Sequence, residues 1–392
     1  MEELVTWRCA AMESMSASFP PYLVYSVGKS STGLMLATMF RYVNETDAGD
    51  IYVVMEQTAE SLGPARFEGG LSHRKCERVQ SAHRQKWPFP DGGHYSWPFT
   101  MLKIDFLLHI PSSLSSVVLL DADTYVLPGS GQLLADQLGL LSEEQSISVA
   151  RSGVRDWQGG RMRHVYTYDG PQGGAILFNI PRFRIFQQQY CGARAWYHCV
   201  SERMSGTPGR PIETPLADQS VWQALQRDKP HIFRYWPCGM HAETQVLQGI
   251  TNLLVWKRVP LPTELCNEDG HHHCITTERW LVNWKSADDC LPEHKAASPL
   301  LPGEPFRVAL THGAAGGGHI ARIVGAALQP FRGDVHAAIA HQVGLERQAA
   351  QAGVQLSTPP SATRFAVAAQ WYHKVSHNHT KRTDGPSAGS AR

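Results

Sequence analysis

Two carboxylates lie one residue apart, directly after a four-residue apolar run. The segment VVLLDADTYVLPG (117–129) places Asp121 and Asp123 at the end of VVLL. Such a run predicts a buried strand, so the carboxylates would lie where the strand leaves its sheet. Like charges repel and are costly to bury without a partner, so the pair predicts a bound cation. Oxygen ligands favour Mg²⁺ or Mn²⁺, which can neutralise a diphosphate leaving group.

The segment SVGKSS (26–31) is similar to a phosphate-binding P-loop, but it lacks the first glycine of that motif. Leu23 stands at that position, which excludes a P-loop. A turn between a strand and a helix can still contact a nucleotide, so Val27 and Gly28 are candidate cofactor-binding residues.

The segment LDADTYV also suggests a second class of enzyme, the phosphatases of the haloacid dehalogenase type. Their motif is D-x-D-x-T, and Tyr125 stands where the threonine would be. A strand–helix–strand unit also precedes the segment, whereas the phosphatase motif usually opens its fold. Asp288 and Asp289 in ADDC could supply further acids, so this alternative stays open.

The elements that would position these residues alternate between strand and helix. The segments YLVYSV (22–27) and IYVVM (51–55) predict strands, with an amphipathic helix between them, which indicates a parallel sheet of the Rossmann type. The polar stretch 56–93 predicts a long loop near the site. The remaining predicted elements are the helix WPFTMLKIDFLLHIP, the strands VVLLDAD, SISVA and GGAILFN, the helix ADQSVWQALQ, and the strands HIFRYW and FRVALTHG.

Composition excludes several classes of partner. Lys and Arg number 36 against 35 Asp and Glu, so no basic surface for nucleic acid or membrane lipid is expected. No apolar run approaches the roughly 18 residues of a transmembrane helix. The N-terminal sequence MEELVTWRCAAMESMSASF does not resemble a signal peptide. Either the protein is made without targeting, or a natural membrane anchor is missing from this chain.

Four of the eight cysteines fall between Cys238 and Cys290, in loop-like sequence. Such clustering indicates disulfides or zinc. Seven residues, including three histidines, separate Cys266 from Cys274, which does not fit the usual spacing of zinc ligands. Disulfides are therefore favoured, and the glycosylation sequons NET (44–46) and NHT (378–380) agree with a secretory lumen.

Five segments, in this order, resemble the family-eight retaining glycosyltransferases, the group that contains glycogenin and the bacterial galactosyltransferases. They are TMLKIDFLL, VVLLDADTYVL, GPQGGAILFNI, LADQSVWQAL and ALTHGAAGGG. The ending THGAAGGGH and the Cys-rich segment look most like the glucoside xylosyltransferase branch. The resemblance implies an α/β fold of the GT-A type, with a Rossmann-like, mostly parallel central sheet flanked by helices. The resemblance covers roughly residues 20–320, and past about residue 320 the composition changes to Ala, Gln and His. We therefore expect one catalytic domain (21–320) between an N-terminal segment (1–20) and a C-terminal extension (321–392), part of which is expected to be disordered.

The resemblance also implies a UDP-sugar donor, which in this branch would carry xylose, with Mn²⁺ or Mg²⁺, a glycan or glycoprotein acceptor, and a location in the Golgi or another secretory lumen. It assigns Asp121, Asp123 and His312 as metal ligands. Two carboxylates and one imidazole leave coordination positions for two phosphates.

Four further residues are expected at the donor. Lys103 matches a lysine near the donor phosphate and sugar, and a lysine that points toward the sheet would need an anionic partner. Ala122 lies between the two acids. Gly313 and Gly316 belong to a glycine-rich turn whose backbone N–H groups could approach phosphate oxygens.

Asp218 and Gln219 match the family's Asp-Gln pair beside the anomeric carbon, although Asp218 could equally cap a helix. They could stabilise an oxocarbenium-like transition state of double displacement or of same-face attack, and both remain open. Gln172, in Gln-Gly-Gly, replaces the asparagine of the family's Asn-Ser-Gly and is a candidate catalytic contact with the sugar. A lysine that many members carry after the late histidine is absent, so a changed donor or a catalytically weak binding protein is an alternative.

Overall fold

The computed structural model describes residues 3–10, 19–26, 32–41, 49–56, 74–83, 100–153, 169–204, 217–237, 240–243, 256–259, 279–282, 307–313 and 328–334, with single positions after residue 324. The strands are β1 (Glu3–Ala10), β2 (Tyr22–Ser26), β3 (Ile51–Glu56), β4 (Lys75–His83), β5 (Ser116–Leu120), β6 (Thr124–Val126), β7 (Ile147–Gly153), β8 (Asp169–Asn179), β9 (Phe233–Tyr235), β10 (His241–Glu243), β11 (Trp256–Val259), β12 (Arg279–Val282) and β13 (Leu310–His312). The α-helices are α1 (Thr32–Met39), α2 (Ser130–Gly139), α3 (Ile180–Cys191), α4 (Trp196–Met204) and α5 (Asp218–Asp228). Three-residue 3₁₀ helices span Pro230–Ile232 and Gln329–Phe331, and a longer one spans Met101–Leu108.

An eight-stranded sheet with the order β4-β1-β3-β2-β5-β8-β7-β9 forms the centre of the molecule. Strand β2 pairs in parallel with β3 and β5, and β7 pairs in parallel with β9. The antiparallel pairings all involve β1 or β8, so only these two strands run against the other six. The predicted α/β class with a mostly parallel central sheet is therefore confirmed. The strand–helix–strand unit β2-α1-β3 is also as expected.

Helices pack on both faces of this sheet. On one face α3, α4, α5 and the 3₁₀ helix Met101–Leu108 enclose an aromatic core. In this core the ring centroid of Phe178 lies 4.3 Å from that of Phe106 and 5.6 Å from that of Trp222. Helices α1 and α2 contribute Leu36, Met39 and Leu134 to the apolar layer on the other face. Strands β2, β3 and β5 at the centre of the sheet are thus buried on both sides, as their continuous apolar sequences require.

Three local features differ from the sequence expectation. The N-terminal segment contributes β1, which lies between β3 and β4. The polar stretch 56–93 contains β4, whose largely exposed residues give no apolar signal. The predicted helix before Pro111 is a 3₁₀ helix with a kink at Asp105 (φ −104°, ψ 25°).

Within the described part of the chain, two disulfides join elements of the fold. The long-range disulfide, Cys9–Cys76, joins β1 to β4 at a pair of facing residues. The short-range disulfide, Cys191–Cys199, joins the end of α3 to α4. The Cys-rich segment 238–290, where the sequence analysis placed its disulfides, has all four cysteines outside the described residues.

A second, three-stranded sheet has the order β10-β13-β6. The chain leaves the central sheet at the end of β5, turns through residues 121–123 and enters the second sheet as β6. Residues 328–334 pack beside β13, where the N–H of Val308 donates to the carbonyl of Gly333 at 2.9 Å. No helix of the described part of the chain is long and apolar enough to cross a membrane.

Candidate functional site

The turn that carries Asp121 and Asp123 connects the two sheets. The N–H of Asp121 donates to the carbonyl of Gly174 on β8 at 2.9 Å, which continues the pairing of β5 with β8. The N–H of Thr124 then donates back to the carbonyl of Asp121 at 3.1 Å. Because β6 pairs antiparallel with β13 and Thr124 faces His312, the late histidine lies directly beside the turn.

The three predicted metal ligands come together. Nε2 of His312 lies 3.1 Å from Oδ1 of Asp123 and 3.6 Å from Oδ2 of Asp121. One ligand atom from each residue can be chosen so that all lie within 4.8 Å of one another. Partial burial would raise the pKa of Asp123, but His312 and Lys103 hold it below its ordinary value, so the carboxylate is ionised near neutral pH. This donor set fits a divalent cation of the Mg²⁺ or Mn²⁺ type.

Lys103 is buried and bonded to three acceptors. Its Nζ lies 2.7 Å from Oδ1 of Asp121, 2.8 Å from Oδ2 of Asp218 and 2.8 Å from the carbonyl oxygen of Gly173. Burial alone would lower the pKa of Lys103, but the two carboxylates raise it above the ordinary value. An anionic partner was expected for Lys103, and the structure supplies two from within the protein. An ammonium group has three N–H donors, so none is left over for a phosphate in this arrangement.

Asp218 is the first residue of α5, but it does not cap the helix. The N-cap position is Ala217, at φ +50°, and no side chain makes a capping hydrogen bond there. The carboxylate instead bonds Lys103 and accepts a hydrogen bond from Nε1 of Trp222 at 3.3 Å. Burial raises the pKa of Asp218 to about 6, an effect that Lys103 partly offsets. At pH 7 Asp218 is therefore mainly a buried carboxylate.

The glycine pair after Gln172 lets two elements approach β8 closely. A Cβ atom at Gly173 would lie 3.1 Å from Cβ of Gln219 and 3.2 Å from Oδ2 of Asp218. A Cβ atom at Gly174 would lie 2.6 Å from Cε1 of His312, closer than real atoms come. Because Gly173 and Gly174 have no side chains, α5 and β13 can both approach β8 at this point.

Gln172 is buried and uses both ends of its amide within the protein. Its Oε1 accepts a hydrogen bond from the N–H of Gly174, and its Nε2 lies 3.2 Å from Nδ1 of His312. The sequence predicted a contact with sugar for this residue. The contact with a residue 140 positions away follows from the sheet arrangement and has no local sequence signal.

The remaining predicted residues divide into two groups. Ala122 is exposed in the turn, and the N–H of Gly313 donates to the carbonyl of Asp123 at 3.0 Å, so this donor is already used. The others lie outside the described residues: Val27, Gly28 and Gly316.

Two polar groups near the site were missed by the sequence analysis. The ring of His241 on β10 lies 5.4 Å from that of His312, and burial lowers the pKa of His241 to about 3. Asp105 is buried on the 3₁₀ helix, and burial raises its pKa to about 7. Among the described residues, neither Nε2 of His241 nor Oδ2 of Asp105 has a hydrogen-bond partner. No local motif marks either residue.

Comparison with known proteins gives structural similarity alone. No family model and no curated protein sequence matches the chain. Mouse xyloside xylosyltransferase 1 in its apo form is similar over 57% of this chain and 87% of that chain, at 12% identity and a TM-score of 0.37. An active-site mutant of LgtC is similar over 74% of this chain and 86% of that chain, at 11% identity and a TM-score of 0.37. The galactosyltransferase LgtC in complex with donor and acceptor sugar analogues is similar over 88% of this chain and 99% of that chain, at 12% identity and a TM-score of 0.36. Scores this low carry no conclusion about activity.

Proposed function

We propose that the protein is a metal-dependent glycosyltransferase of the GT-A type that moves a sugar from a UDP-sugar to a glycan or glycoprotein acceptor with retention of configuration. The observation that carries the proposal is the convergence of Asp121, Asp123 and His312 beside a second, buried carboxylate, Asp218, with Lys103 bonded to both Asp121 and Asp218. A phosphate-activated sugar needs a cation at its diphosphate and an anion near its anomeric carbon, and this geometry supports both.

The two aspartates and His312 would hold Mn²⁺ or Mg²⁺. Such a cation supplies charge neutralisation for a diphosphate leaving group. The protein's part is to hold the two carboxylates in place, and Lys103 does this for Asp121 through a 2.7 Å bond. Because the lysine is itself held by three acceptors, the carboxylate has little freedom to turn away from the cation site.

Asp218 and Gln219 would act on the sugar. A buried carboxylate stabilises positive charge at the anomeric carbon more strongly than an exposed one, because little water screens it. The bonds from Lys103 and Trp222 hold the orientation of Asp218, and Gly173 leaves the space in front of it free of a side chain. Double displacement through Asp218 and same-face attack would both need this carboxylate beside the anomeric carbon of the sugar.

The assignment to family eight, xylose as the donor sugar and a Golgi or other secretory location belong to the same proposal. The first two are supported by the sequence motifs. The location is supported by the long-range and short-range disulfides, because such bonds persist in oxidising compartments.

A binding protein without turnover is the second candidate function. This candidate is favoured because the polar groups of the site already have partners within the protein. All three N–H donors of Lys103 and the backbone N–H of Gly313 are bonded to protein oxygen atoms. Such a protein would bind UDP with a metal and release no sugar.

Hydrolysis assays separate these functions. The protein is incubated with UDP-xylose, UDP-glucose or UDP-galactose and Mn²⁺, and in parallel with p-nitrophenyl phosphate and Mg²⁺. Release of UDP supports the glycosyltransferase, and release of phosphate alone would identify a phosphatase. UDP binding without release would identify the second candidate.

Thermal shift with Mn²⁺ and UDP tests the site residues. Wild type should gain melting temperature from UDP only when Mn²⁺ is present, and Asp123→Asn should lose this gain. Without ligands, Asp123→Asn should be slightly less stable than wild type at neutral pH, because the lowered pKa of Asp123 shows that the folded protein favours its ionised form. Asp136→Asn, on the exposed side of α2, is the matched control and should behave as wild type. The site is wrongly assigned if UDP stabilises Asp123→Asn and wild type equally.

A further inference from the structure

We infer that Ser148, Arg234 and Trp236 form a binding site for an oxyanion, that is, for a phosphate, sulfate or carboxylate group of a ligand. Ser148 lies on β7, Arg234 lies on β9, and Trp236 directly follows β9. None of the three is a candidate metal ligand. The inference goes beyond the proposed function, because an oxyanion can bind here without a cation and without turnover.

The pairing of β7 with β9 places the three side chains next to one another. The two strands run parallel with Ser148 beside Arg234, and the N–H of Trp236 donates to the carbonyl of Val149 at 2.9 Å. Residues paired across neighbouring strands lie about 5 Å apart, and residues two positions apart on one strand lie about 7 Å apart on the same face. Trp236 and Leu177, the partner of Ser148 on β8, belong to the apolar layer that α1 and α2 cover. The three side chains therefore share this face of the sheet.

The polar groups of these side chains have no partner in the described part of the chain. Oγ of Ser148, Nε of Arg234 and Nε1 of Trp236 are each buried and make no hydrogen bond. Ser148 is fully buried, and Trp236 is 3% exposed. Buried polar groups are normally hydrogen-bonded, because an unpaired one destabilises the fold. Three neighbouring groups without partners indicate that the molecule which accepts their hydrogen bonds is a ligand.

The chemistry of the three groups specifies this ligand. A guanidinium and an indole N–H can only donate, and a hydroxyl can donate its single proton. The ligand must therefore present acceptor atoms, and the permanent charge of Arg234 favours a negative ligand over a neutral one. A water molecule would accept hydrogen bonds but would leave that charge without a counter-charge. Phosphate, sulfate and carboxylate groups meet both requirements, whereas a metal cation meets neither.

The site lies beside the candidate metal site. The ring of Trp236 is 6.3 Å from that of His241, which is 5.4 Å from that of His312, measured between centroids. Arg234 is only partly buried, so the ligand can reach the site from its side. A substrate bound at the cation offers two oxyanions at this distance, the diphosphate of a nucleotide and an acidic substituent of an acceptor. The N–H groups of Lys103 are already used, so a diphosphate would need other donors such as these.

Sulfate binding to the metal-free protein tests the site. Sulfate, phosphate and glucuronate are titrated by calorimetry in EDTA at constant ionic strength, and wild type should bind at least one of them saturably. Arg234→Gln, Ser148→Ala and Trp236→Phe should each weaken this binding by roughly tenfold, because hydrogen bonds to a charged group are the stronger ones. Arg227→Gln is the matched control, since it removes the same charge from an exposed position of α5, and it should bind as wild type does. The inference is overturned if wild type binds none of the three anions, or if Arg234→Gln binds them as tightly as wild type.

Melting temperatures separate a binding role from a structural one. A hydroxyl without a partner does not stabilise the ligand-free fold, so Ser148→Ala should melt no lower than wild type in the absence of anions. Saturating sulfate should raise the melting temperature of wild type more than that of Ser148→Ala, because the anion binds the native wild type more tightly. If Ser148→Ala melts several degrees lower in both conditions and gains as much from sulfate, the hydroxyl has a partner inside the protein and the inference fails. Ser148→Ala and Arg234→Gln test the site by themselves if Trp236→Phe does not fold.

Two further titrations distinguish the sources of the oxyanion. If the site binds the nucleotide, Arg234→Gln should weaken UDP binding in the presence of Mn²⁺ by roughly tenfold. If the site binds an acidic acceptor, this variant should bind UDP as wild type does but bind p-nitrophenyl glucuronide more weakly, with p-nitrophenyl glucoside unchanged. A wild type that binds sulfate but releases no UDP from any UDP-sugar keeps the site and refutes the enzyme. A wild type that releases UDP but binds none of the anions keeps the enzyme and refutes the site.

Discussion

Replacement of Lys103 by methionine should strongly destabilise the protein, because Lys103 is the shared partner of two carboxylates in a nearly water-free position. Its side chain is 2% exposed and that of Asp218 is 4% exposed. Removal of one partner from a buried ion pair costs roughly 3–5 kcal/mol, since the other charge stays buried and unpaired. That is a large part of the 5–15 kcal/mol by which most domains are stable.

The destabilisation should grow with pH. The pKa of Asp218 in the folded wild type, about 6, lies above its ordinary value of 3.8, so its contribution to stability is present at low pH and is lost as pH rises through about 6. Without the lysine the pKa of Asp218 rises further. At pH 5 Asp218 is then protonated and carries no buried charge, whereas at high pH it is ionised and its buried charge has lost Lys103 as a partner. The difference between high and low pH should be about 1.4 kcal/mol per unit of this additional pKa rise.

Urea unfolding followed by tryptophan fluorescence at pH 5 and pH 8 measures both effects. Lys229→Met is the matched control, because Lys229 pairs with Asp228 at 3.8 Å on the surface, where such a pair contributes at most about 1 kcal/mol. The double variant Lys103→Met/Asp218→Asn should recover more than half of the lost stability. If Lys103→Met is no less stable than Lys229→Met at pH 8, the ion-pair network does not stabilise the fold as argued.

Three further outcomes are expected. Gly174→Ala should lose the metal-dependent stabilisation by UDP, as His312→Ala should, because the added Cβ would collide with the imidazole of His312. Gly139→Ala is the control in the same thermal-shift assay, because its added Cβ would have no other atom within 4 Å. Loss of the long-range disulfide should cost roughly 4 kcal/mol and loss of the short-range one roughly 2–3 kcal/mol, since the closed loops span 67 and 8 residues; urea unfolding of the paired Cys→Ser variants checks the order, and equal losses would contradict it. Removal of residues 352–392 should leave UDP-sugar hydrolysis intact, as no predicted site residue lies there, and a folded but inactive truncation would contradict this.

His312, the third candidate metal ligand, is expected from the resemblance to a glycosyltransferase family, whereas the signal of Asp121 and Asp123 is local. An apolar strand followed by Asp-x-Asp indicates where these two carboxylates lie. The same holds for the need of Lys103 for an anion, since a cation among apolar helix residues must be paired. In each case the chemistry is visible within a few residues.

The unpredicted features depend on contacts between distant segments. Strand β1 pairs with β4 and is joined to it by a disulfide across more than sixty residues of sequence, and no apolar pattern in the sequence predicts this strand pairing. The helix-capping alternative for Asp218 was local and plausible, but the three-dimensional arrangement gives that carboxylate to Lys103. Gln172 looks like a substitute for a sugar-binding amide until β13 is placed next to β8.

The turn between β5 and β6 has a consequence for how the protein reaches its native state. Its two aspartates lie at the junction of the central sheet and the second sheet, and His312 comes from a strand almost two hundred residues later in the chain. Contacts of such large sequence separation form late in folding, because the loop between them must be closed first. A nascent chain that has folded its central sheet but not yet added β13 has no complete cation site. Mn²⁺ should therefore slow unfolding of the finished protein without accelerating its folding, so that the metal selects the completed molecule over its intermediates.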